Sequence, residues 1–314
     1  MKKQNPTVTI GIPAYNEEKN IGNLLASIMR QQQISYCLEK VIVVCDGCTD
    51  KTADVVKSFA RKYRIIRFVE RKMRTGKADA LNLIYKTNKS DFLLTVDGDL
   101  FFAGNSEIEK MMCVIKKDPT INVVGPRHIP VMANSLMGKF AFVSYMSFSD
   151  AFLKLYNGNN FYAMMAVAFM RKNFVQTLRL PKGTISDQCY VYAKATRNNP
   201  NGFRLVRDAH VLFRTVSTFR DWRVLGVRSV IGDKENVAKY FGAEILSEFY
   251  MPRRLFIRSL FKWLLKSPFY MLGSIFMNMY IRKFPYKKVT PKNGMWTLAT
   301  SSKEAIVVGS QYEK

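Results

Sequence analysis

The sequence has few acidic residues and almost no histidine. Against 49 lysines and arginines it has 24 aspartates and glutamates and 2 histidines, which gives a formal net charge of +25 over 314 residues. A surplus of this size predicts an acidic partner, and nucleic acid, an anionic membrane surface and a phosphate-bearing substrate are the candidates. Hydrophobic residues make up 48% of the chain, which excludes a wholly disordered protein.

Cysteine, targeting signals and glycine-rich nucleotide motifs are also scarce. The 5 cysteines are irregularly spaced, which fits a reducing compartment better than a disulfide framework. No apolar stretch follows Lys2 and Lys3, so we expect no signal peptide and a cytoplasmic location. The motif G-x-G-x-x-G does not follow the first predicted strand, and G-x-x-x-x-G-K-[ST] is missing from the sequence. The hypotheses of a dinucleotide-binding protein and of a P-loop protein therefore lose their main support.

The first third of the chain alternates strand and helix patterns. Short β-branched runs predict buried strands over Val8–Ile12, Val41–Val44, Ile65–Val69 and Phe92–Val96. A segment with helical spacing of its apolar residues follows each of the first three, and Asn16 is predicted to cap the first of these helices. This alternation indicates an α/β fold with a largely parallel sheet flanked by helices.

Polar and acidic clusters follow three of the predicted strands. They are Tyr15-Asn16-Glu17, Asp46 and Asp97-Gly98-Asp99. Ligands bind beyond the carboxyl ends of parallel strands, so the clusters are expected to meet in one crevice. Two carboxylates beside a glycine suit Mg²⁺ or Mn²⁺, either of which can bridge a diphosphate, although a plain strand-end turn has the same pattern.

Four segments, in this order and spacing, resemble family 2 glycosyltransferases of the GT-A fold. They are Pro13–Glu17, Val43–Asp50, Gly76–Asn82 and Val96–Asp99, and the similarity is strong over residues 7–102 and looser over 120–230. The resemblance implies a nucleotide-sugar donor, usually a UDP-sugar, an inverting transfer and a divalent metal, Mn²⁺ or Mg²⁺. It assigns donor contacts to Pro13, Ala14, Tyr15 and Glu17 around the nucleoside, Asp46 at the base, Gly76 and Lys77 near the phosphates and Asp97, and it assigns the metal to Asp99 and Asp97.

The resemblance also implies a general base on the acceptor side. An inverting transfer needs a carboxylate within hydrogen-bond reach of the attacking hydroxyl. The family places it at the end of an acidic motif, and Gly183–Gln188 fits that position, which makes Asp187 the candidate base. The alternative is that Asp187 caps a helix, and both can be true together. Asp150 is the weaker competitor.

Further positions belong to the looser half of the resemblance. His210 is a candidate third metal ligand, the alternative being a packed strand histidine, and His128 has less support. Membrane-embedded processive members carry Q-x-x-R-W after the base, but here Leu225 and Ser229 replace the Gln and Trp, and Arg228 matches. Arg228 is therefore a candidate diphosphate contact or an exposed helix arginine. The departure favours addition of one or a few sugars over polymerisation.

The chain is predicted to divide into a glycosyltransferase domain and a basic C-terminal region. The domain covers 1–235, with a donor half over 1–102 and an acceptor half over 103–235, and the second region covers 236–314. Residues 251–314 carry a net charge of +10.

A basic stripe marks this C-terminal region. Arg254, Arg258, Lys262 and Lys266 recur every fourth residue among bulky apolar residues, as in a helix lying in a membrane interface. Pro268 is expected to end or kink that helix. The charge-free run that follows has 15 residues, fewer than the ~20 of a spanning helix. We expect contact with an anionic membrane surface; a helix docked on the protein's own core and a re-entrant hairpin are the alternatives.

Together these features predict a metal-dependent, inverting glycosyltransferase at the cytoplasmic face of a membrane. Its acceptor would be a glycan or a lipid-linked molecule in cell-envelope glycan or glycolipid synthesis. A nucleic-acid-binding protein is one alternative, but RNP-like, helix-turn-helix and zinc-finger patterns are missing, so we expect no nucleic-acid partner. A catalytically inactive scaffold is the other, and the presence of Asp46, Asp97, Asp99 and Asp187 argues against it.

Overall fold

A computed structural model describes residues 4–227, 233–284 and 299–306 of the chain. The strands are β1 (Thr7–Ala14), β2 (Cys37–Asp46), β3 (Ile66–Arg71), β4 (Phe92–Val96), β5 (Leu100–Phe102), β6 (Val123–Val131), β7 (Val167–Arg171) and β8 (Phe203–Arg214). The α-helices are α1 (Ile21–Met29), α2 (Thr52–Lys62), α3 (Lys77–Thr87), α4 (Glu107–Lys117), α5 (Leu136–Phe152), α6 (Lys172–Thr177), α7 (Asp187–Thr196), α8 (Phe219–Val227), α9 (Asp233–Phe241), α10 (Arg253–Lys266) and α11 (Pro268–Lys283). Short 3-10 helices cover Leu155–Gly158, Phe161–Ala163, Ala243–Phe249 and Thr300–Lys303.

These strands form one sheet in the order β3-β2-β1-β4-β7-β6-β8-β5. β1 runs parallel to β2 and β4, and β2 runs parallel to β3. β7 is antiparallel to β4 and β6, β8 is parallel to β6, and β5 is antiparallel to β8. This mixed, largely parallel sheet with flanking helices confirms the predicted α/β fold.

The central strands are buried on both faces, as their continuous apolar runs predict. Ile10 of β1 packs in one core with α1 and α4, and Val44 of β2 packs in the core on the other face with α3. Burying each large aliphatic side chain contributes about 1.5–3 kcal/mol, so the strand ends are held by a well-anchored scaffold. The loops at those ends therefore start from fixed positions.

The predicted role of Asn16 as a helix cap is wrong. Helix α1 begins at Ile21 after Asn20, while Asn16 has a positive φ of 54°. Asparagine tolerates this left-handed conformation better than most residues. The Asn16 side chain instead accepts a hydrogen bond from the backbone N–H of Thr49 (2.9 Å) and donates one to the Thr49 hydroxyl (3.0 Å). Asn16 thus joins the loop after β1 to the loop after β2.

The C-terminal part consists of a helix hairpin and a returning segment. Helices α10 and α11 pack on α5, and Pro268 ends the first helix as predicted and opens the second at its first position. Residues 299–306, here called the C-terminal strap, pass back to the end of β1. In the three described ranges no helix has the length and apolar character needed to cross a bilayer.

Candidate active site

The carboxyl ends of β1, β2 and β4 meet at one edge of the sheet. Ala14 lies opposite Cys45 in the β1–β2 register, and Gly11 lies opposite Thr95 in the β1–β4 register. The polar residues that follow each strand therefore share one crevice, as the sequence predicts. Helices α3 and α7 bring further side chains to it.

Lys77 joins two of the predicted carboxylates. Its Nζ lies 2.7 Å from Oδ1 of Asp97 and 3.0 Å from Oδ1 of Asp187. Lys77 is the first residue of α3 and Asp187 the first of α7, so two helix starts and the end of β4 converge on one cation. Burial, together with nearby Asp187 and Asp99, raises the pKa of Asp97 to about 6, although Lys77 acts in the opposite direction.

Glu17 is a buried acid beside the Asp97–Asp99 turn. Its side chain packs against Gly98, where an added Cβ would lie 2.8 Å from Cγ of Glu17. Burial, reinforced by Asp99, raises the pKa of Glu17 to about 8. The ammonium of Lys303 from the C-terminal strap forms an ion pair with Oε1 and partly offsets this rise.

Asp46 anchors the loop between β3 and α3. Its oxygens accept hydrogen bonds from the backbone N–H groups of Thr75 (3.0 and 3.1 Å) and Gly76 (2.7 Å) and from the Thr75 hydroxyl (2.8 Å). Arg71 adds an ion pair at 3.3 Å. In the structure, this carboxylate therefore holds the loop between β3 and α3 at the crevice edge. Its predicted contact with a nucleobase stays a prediction.

An aromatic ring and a guanidinium lie at the same edge. The Arg74 guanidinium lies 4.0 Å from the centroid of the Tyr15 ring, a cation–π contact. Pro13 and Ala14 immediately precede Tyr15 at the end of β1. The loop carrying Arg74 is the one that Asp46 holds, so the Asp46 contacts also determine how the Tyr15 ring is covered.

A cavity lies between Asp97 and Asp187. Tyr85, Thr95, Met164 and Gln188 are among its lining residues. Oε1 of Gln188 is buried without a hydrogen-bond partner and therefore needs a donor. Sequence reasoning missed Tyr85 and Gln188, although the position of Gln188 next to Asp187 was a local signal.

The predicted metal residues are only partly brought together. Asp97 and Asp99 flank Gly98 on one tight turn. His210 lies instead at the far end of β5, where its carbonyl accepts a hydrogen bond from the N–H of Ala103 at 3.1 Å. Four residues of extended chain span about 13 Å, so the structure does not bring His210 to Asp99. No group of three or more His, Cys, Asp or Glu side chains suited to a metal occurs among the described residues.

Two weaker candidates, Asp150 and His128, lie in contacts that hold the fold together. Asp150 accepts hydrogen bonds from Lys262 (2.5 Å) and from the indole N–H of Trp263 (3.0 Å), so it fastens α10 to α5. His128 is buried in β6, and burial lowers its pKa to about 4, which keeps it neutral. Arg228 lies outside the described residues.

Sequence comparison identifies relatives of the N-terminal part of the chain. Residues 9–179 match Glycosyl transferase family 2. A poly-β-1,6-N-acetyl-D-glucosamine synthase of Staphylococcus epidermidis is 26% identical over 136 residues, which are 43% of this chain and 32% of the relative. The matched part is thus about a third of the length of that curated relative.

Structure comparison extends the likeness to most of the chain. A mannosyltransferase from Pyrobaculum calidifontis, solved with GDP-Man and Mn²⁺, has a TM-score of 0.55 and 18% identity, covering 90% of this chain and 77% of its own. S. aureus TarS 1–349 with UDP-GlcNAc has a TM-score of 0.53 and 18% identity, covering 92% and 95%. At this identity the likeness shows the fold. Because the family match covers more than half of the chain, the protein belongs to glycosyl transferase family 2 and has its GT-A fold.

Proposed function

We propose that the protein transfers a sugar, with inversion, from a nucleotide-sugar donor to an acceptor hydroxyl. The observation that carries this proposal is the contact of Lys77 with both Asp97 and Asp187 at the sheet edge. One of these carboxylates ends a donor-side strand and the other begins an acceptor-side helix. A transferase needs both reactants positioned close together, and the closeness of these two carboxylates supports that role.

The donor half suits a nucleoside diphosphate. Arg71, Lys72, Arg74 and Lys77 concentrate positive charge on the loop and helix start beside the crevice. Such charge compensates the diphosphate as it leaves. Tyr15, next to Pro13 and Ala14, offers an aromatic surface to the nucleoside. UDP is the nucleotide we propose, in keeping with the UDP-GlcNAc bound by the structural neighbour TarS.

Asp97 and Asp99 fit a divalent metal as a partial set of ligands. Carboxylate oxygens suit Mg²⁺ and Mn²⁺, which keep positions for water and phosphate oxygens. Asp97 already neutralises Lys77, so Asp99 would be the principal protein ligand. When bound, the metal would neutralise charge on the diphosphate.

Asp187 is the proposed general base. It takes the proton of the acceptor hydroxyl as that oxygen attacks the anomeric carbon, and the nucleoside diphosphate leaves from the opposite face. Lys77, at 3.0 Å, compensates the negative charge of Asp187 and fixes its position before the acceptor enters. The unpaired Oε1 of Gln188 is available to a hydroxyl of the acceptor.

The helix hairpin is the proposed contact with a membrane at its cytoplasmic face. Seven large apolar side chains of the hairpin are each 58% to 71% exposed, three along α10 and four along α11, and together they are called the apolar ridge here: Ile257, Phe261, Leu265, Phe269, Leu272, Phe276 and Met279. Exposed Arg254, Arg258 and Lys266 lie beside it. An apolar ridge bordered by cations suits an anionic bilayer surface, where a lipid-linked or envelope glycan acceptor would be reached.

Two substitutions test the transferase proposal. Asp187→Asn should lower sugar transfer by about 10²–10⁴-fold, because it removes the proton acceptor, and it should leave calorimetric UDP affinity within about twofold because the donor lies on the other side. Asp99→Ala should weaken UDP binding in Mn²⁺ but not in chelator. Asp208→Asn, an exposed acid on β8, is the control. Full transfer by both Asp187→Asn and Asp99→Ala would refute the assignment.

A further inference from the structure

The C-terminal strap places a lysine inside the candidate donor crevice. Nζ of Lys303 donates hydrogen bonds to the backbone carbonyls of Tyr15 (2.6 Å) and Asn16 (3.3 Å) and forms the ion pair with Glu17. Its side chain is 17% exposed, so the ammonium is largely withdrawn from water. Nearly three hundred residues of chain separate Lys303 from the loop that it contacts.

The strap is held on both sides of Lys303. The Asn20 amide donates a hydrogen bond to the carbonyl of Lys303 (2.8 Å) and accepts one from the N–H of Ile306 (3.1 Å). Asp221 accepts a hydrogen bond from the N–H of Ser301 at 2.7 Å, and Ile306 packs with Phe101 and Leu212. The position of Lys303 is therefore built into the fold.

The loop over residues 15–17, which Lys303 contacts, has polar groups that the strap lysine satisfies. Asn16 has a left-handed backbone, and the carbonyls of Tyr15 and Asn16, which follow the end of β1, accept hydrogen bonds from the Lys303 ammonium. Oε2 of Glu17 is buried without a partner, so the Lys303 contact to Oε1 is the principal compensation for this acid. Removing the ammonium would leave the carbonyls of Tyr15 and Asn16 and Oε1 of Glu17 without this hydrogen-bond donor.

We propose that Lys303 is a positioning residue that fixes the Tyr15–Glu17 loop, and so shapes the nucleoside end of the donor crevice. The role rests on the proposed function as far as the donor is concerned. Through Glu17, which packs on Gly98, the same contact sets how closely that loop approaches the Asp97–Asp99 turn. The C-terminal strap thereby contributes a positioning residue to the donor crevice of the N-terminal half.

The test compares three variants of the full chain. Lys303→Met keeps the length of the side chain and removes the charge, and Lys303→Arg keeps the charge. Glu304→Gln, the control on the same strap, breaks the half-exposed ion pair of Glu304 with Lys19. The readouts are calorimetric UDP affinity in Mn²⁺ and hydrogen exchange of the peptide over residues 14–22. That peptide contains the N–H groups of Asn20 and Ile21, which donate to the carbonyl of Glu17.

Lys303→Met should weaken UDP binding about tenfold, as expected for the loss of a charged hydrogen-bonding group, and should speed exchange over 14–22. Lys303→Arg should restore most of the affinity and protection, and Glu304→Gln should leave both unchanged because exposed pairs contribute little. Unchanged exchange in Lys303→Met, or equal effects in Glu304→Gln, would overturn the role. If the wild type binds no UDP, the donor assignment fails, while the exchange comparison still decides the role of Lys303.

Discussion

At the residue scale, the acidic side chains of the crevice pair with two lysines that come from distant parts of the chain. Lys77, at the start of α3, lies between Asp97 and Asp187, and Lys303, from the strap, compensates Glu17. Two carboxylates on one lysine leave a net negative charge that a metal or a basic loop must offset. Burial is the main cause of the raised pKa values of Asp97 and Glu17, and the nearby carboxylate of Asp99 adds to both.

Glu17 makes stability depend on pH. Its pKa is about 8 in the folded protein against 4.5 ordinarily, so the folded state binds more protons between these values. The free energy of unfolding should therefore fall as pH rises from about 4.5 to 8. Glu17→Gln removes this titration: it should melt close to the wild type at pH 5 and above it at pH 8, in calorimetry at both pH values.

The neighbouring exposed acid provides the control. Glu18→Gln should follow the wild-type pH dependence, since Glu18 is exposed. Parallel melting curves for the wild type and Glu17→Gln at all pH values would contradict a raised pKa at Glu17.

Sequence patterns were sufficient to identify candidate residues that lie next to a strand end or a helix start. Asp97 directly follows β4, and Lys77 and Asp187 each begin a helix, so local patterns were enough to single them out; their contact with one another was not predicted, and their roles stay predictions. Lys303 was beyond prediction, because nothing in its local sequence distinguishes it from the other basic residues and its partner is 286 positions away. The distance between His210 and Asp99 was also beyond prediction, because it depends on the β5–β8 register, which cannot be read from either segment.

At the element scale, the loop between β3 and α3 depends on the turn after β2. Gly47 has a φ of 69°, and an added Cβ would lie 2.4 Å from the backbone nitrogen of Arg74. The loop thus packs directly on the glycine while Asp46 holds Thr75 and Gly76. Strand and helix positions followed from apolar patterning, but this close approach of two loops depends on tertiary packing.

Gly47→Ala should disturb both stability and the basic loop. A left-handed alanine costs about 1–2 kcal/mol, and overpacking against backbone adds about 1–3 kcal/mol. We expect a loss of about 3 kcal/mol in urea unfolding and weaker UDP binding, because Arg74 must move.

Gly242→Ala is the matched control. Gly242 has a φ of 84° but no atom within 4 Å of an added Cβ, so it should show the backbone cost without the clash. Equal destabilisation by the two substitutions would contradict the packing of the loop on Gly47.

At the scale of the whole molecule, the charge of +25 separates into regions with different surroundings. The basic residues around Arg71 and Lys77 face the crevice, while those of α10 border the apolar ridge. The predicted stripe is present, with Arg254, Arg258, Lys262 and Lys266 all exposed on α10. The hairpin both packs on α5 and exposes its outer side, so docking on the protein's own core and a membrane contact are compatible.

Charge reversal on α10 tests the membrane surface. Lys262 is left intact because it also pairs with Asp150 and fastens the helix, so the variant is Arg253→Glu, Arg254→Glu and Arg258→Glu. Acidic residues near a helix start favour the helix, so α10 should persist. Each basic residue near an anionic bilayer contributes about 1 kcal/mol, so partitioning onto phosphatidylserine-containing vesicles should fall by more than about 100-fold in sedimentation.

The control equalises the change in net charge. Lys86→Glu, Lys89→Glu and Lys117→Glu alter three exposed lysines away from the hairpin, and partitioning should fall by less than about threefold because the effect of charge decays within a Debye length. A second variant, Phe261→Ser, Phe269→Ser and Phe276→Ser, keeps every charge and should also release the protein, because the ridge supplies the apolar contact. If the two charge variants lost binding equally, net charge would account for it, and the hairpin would not be the membrane-binding surface.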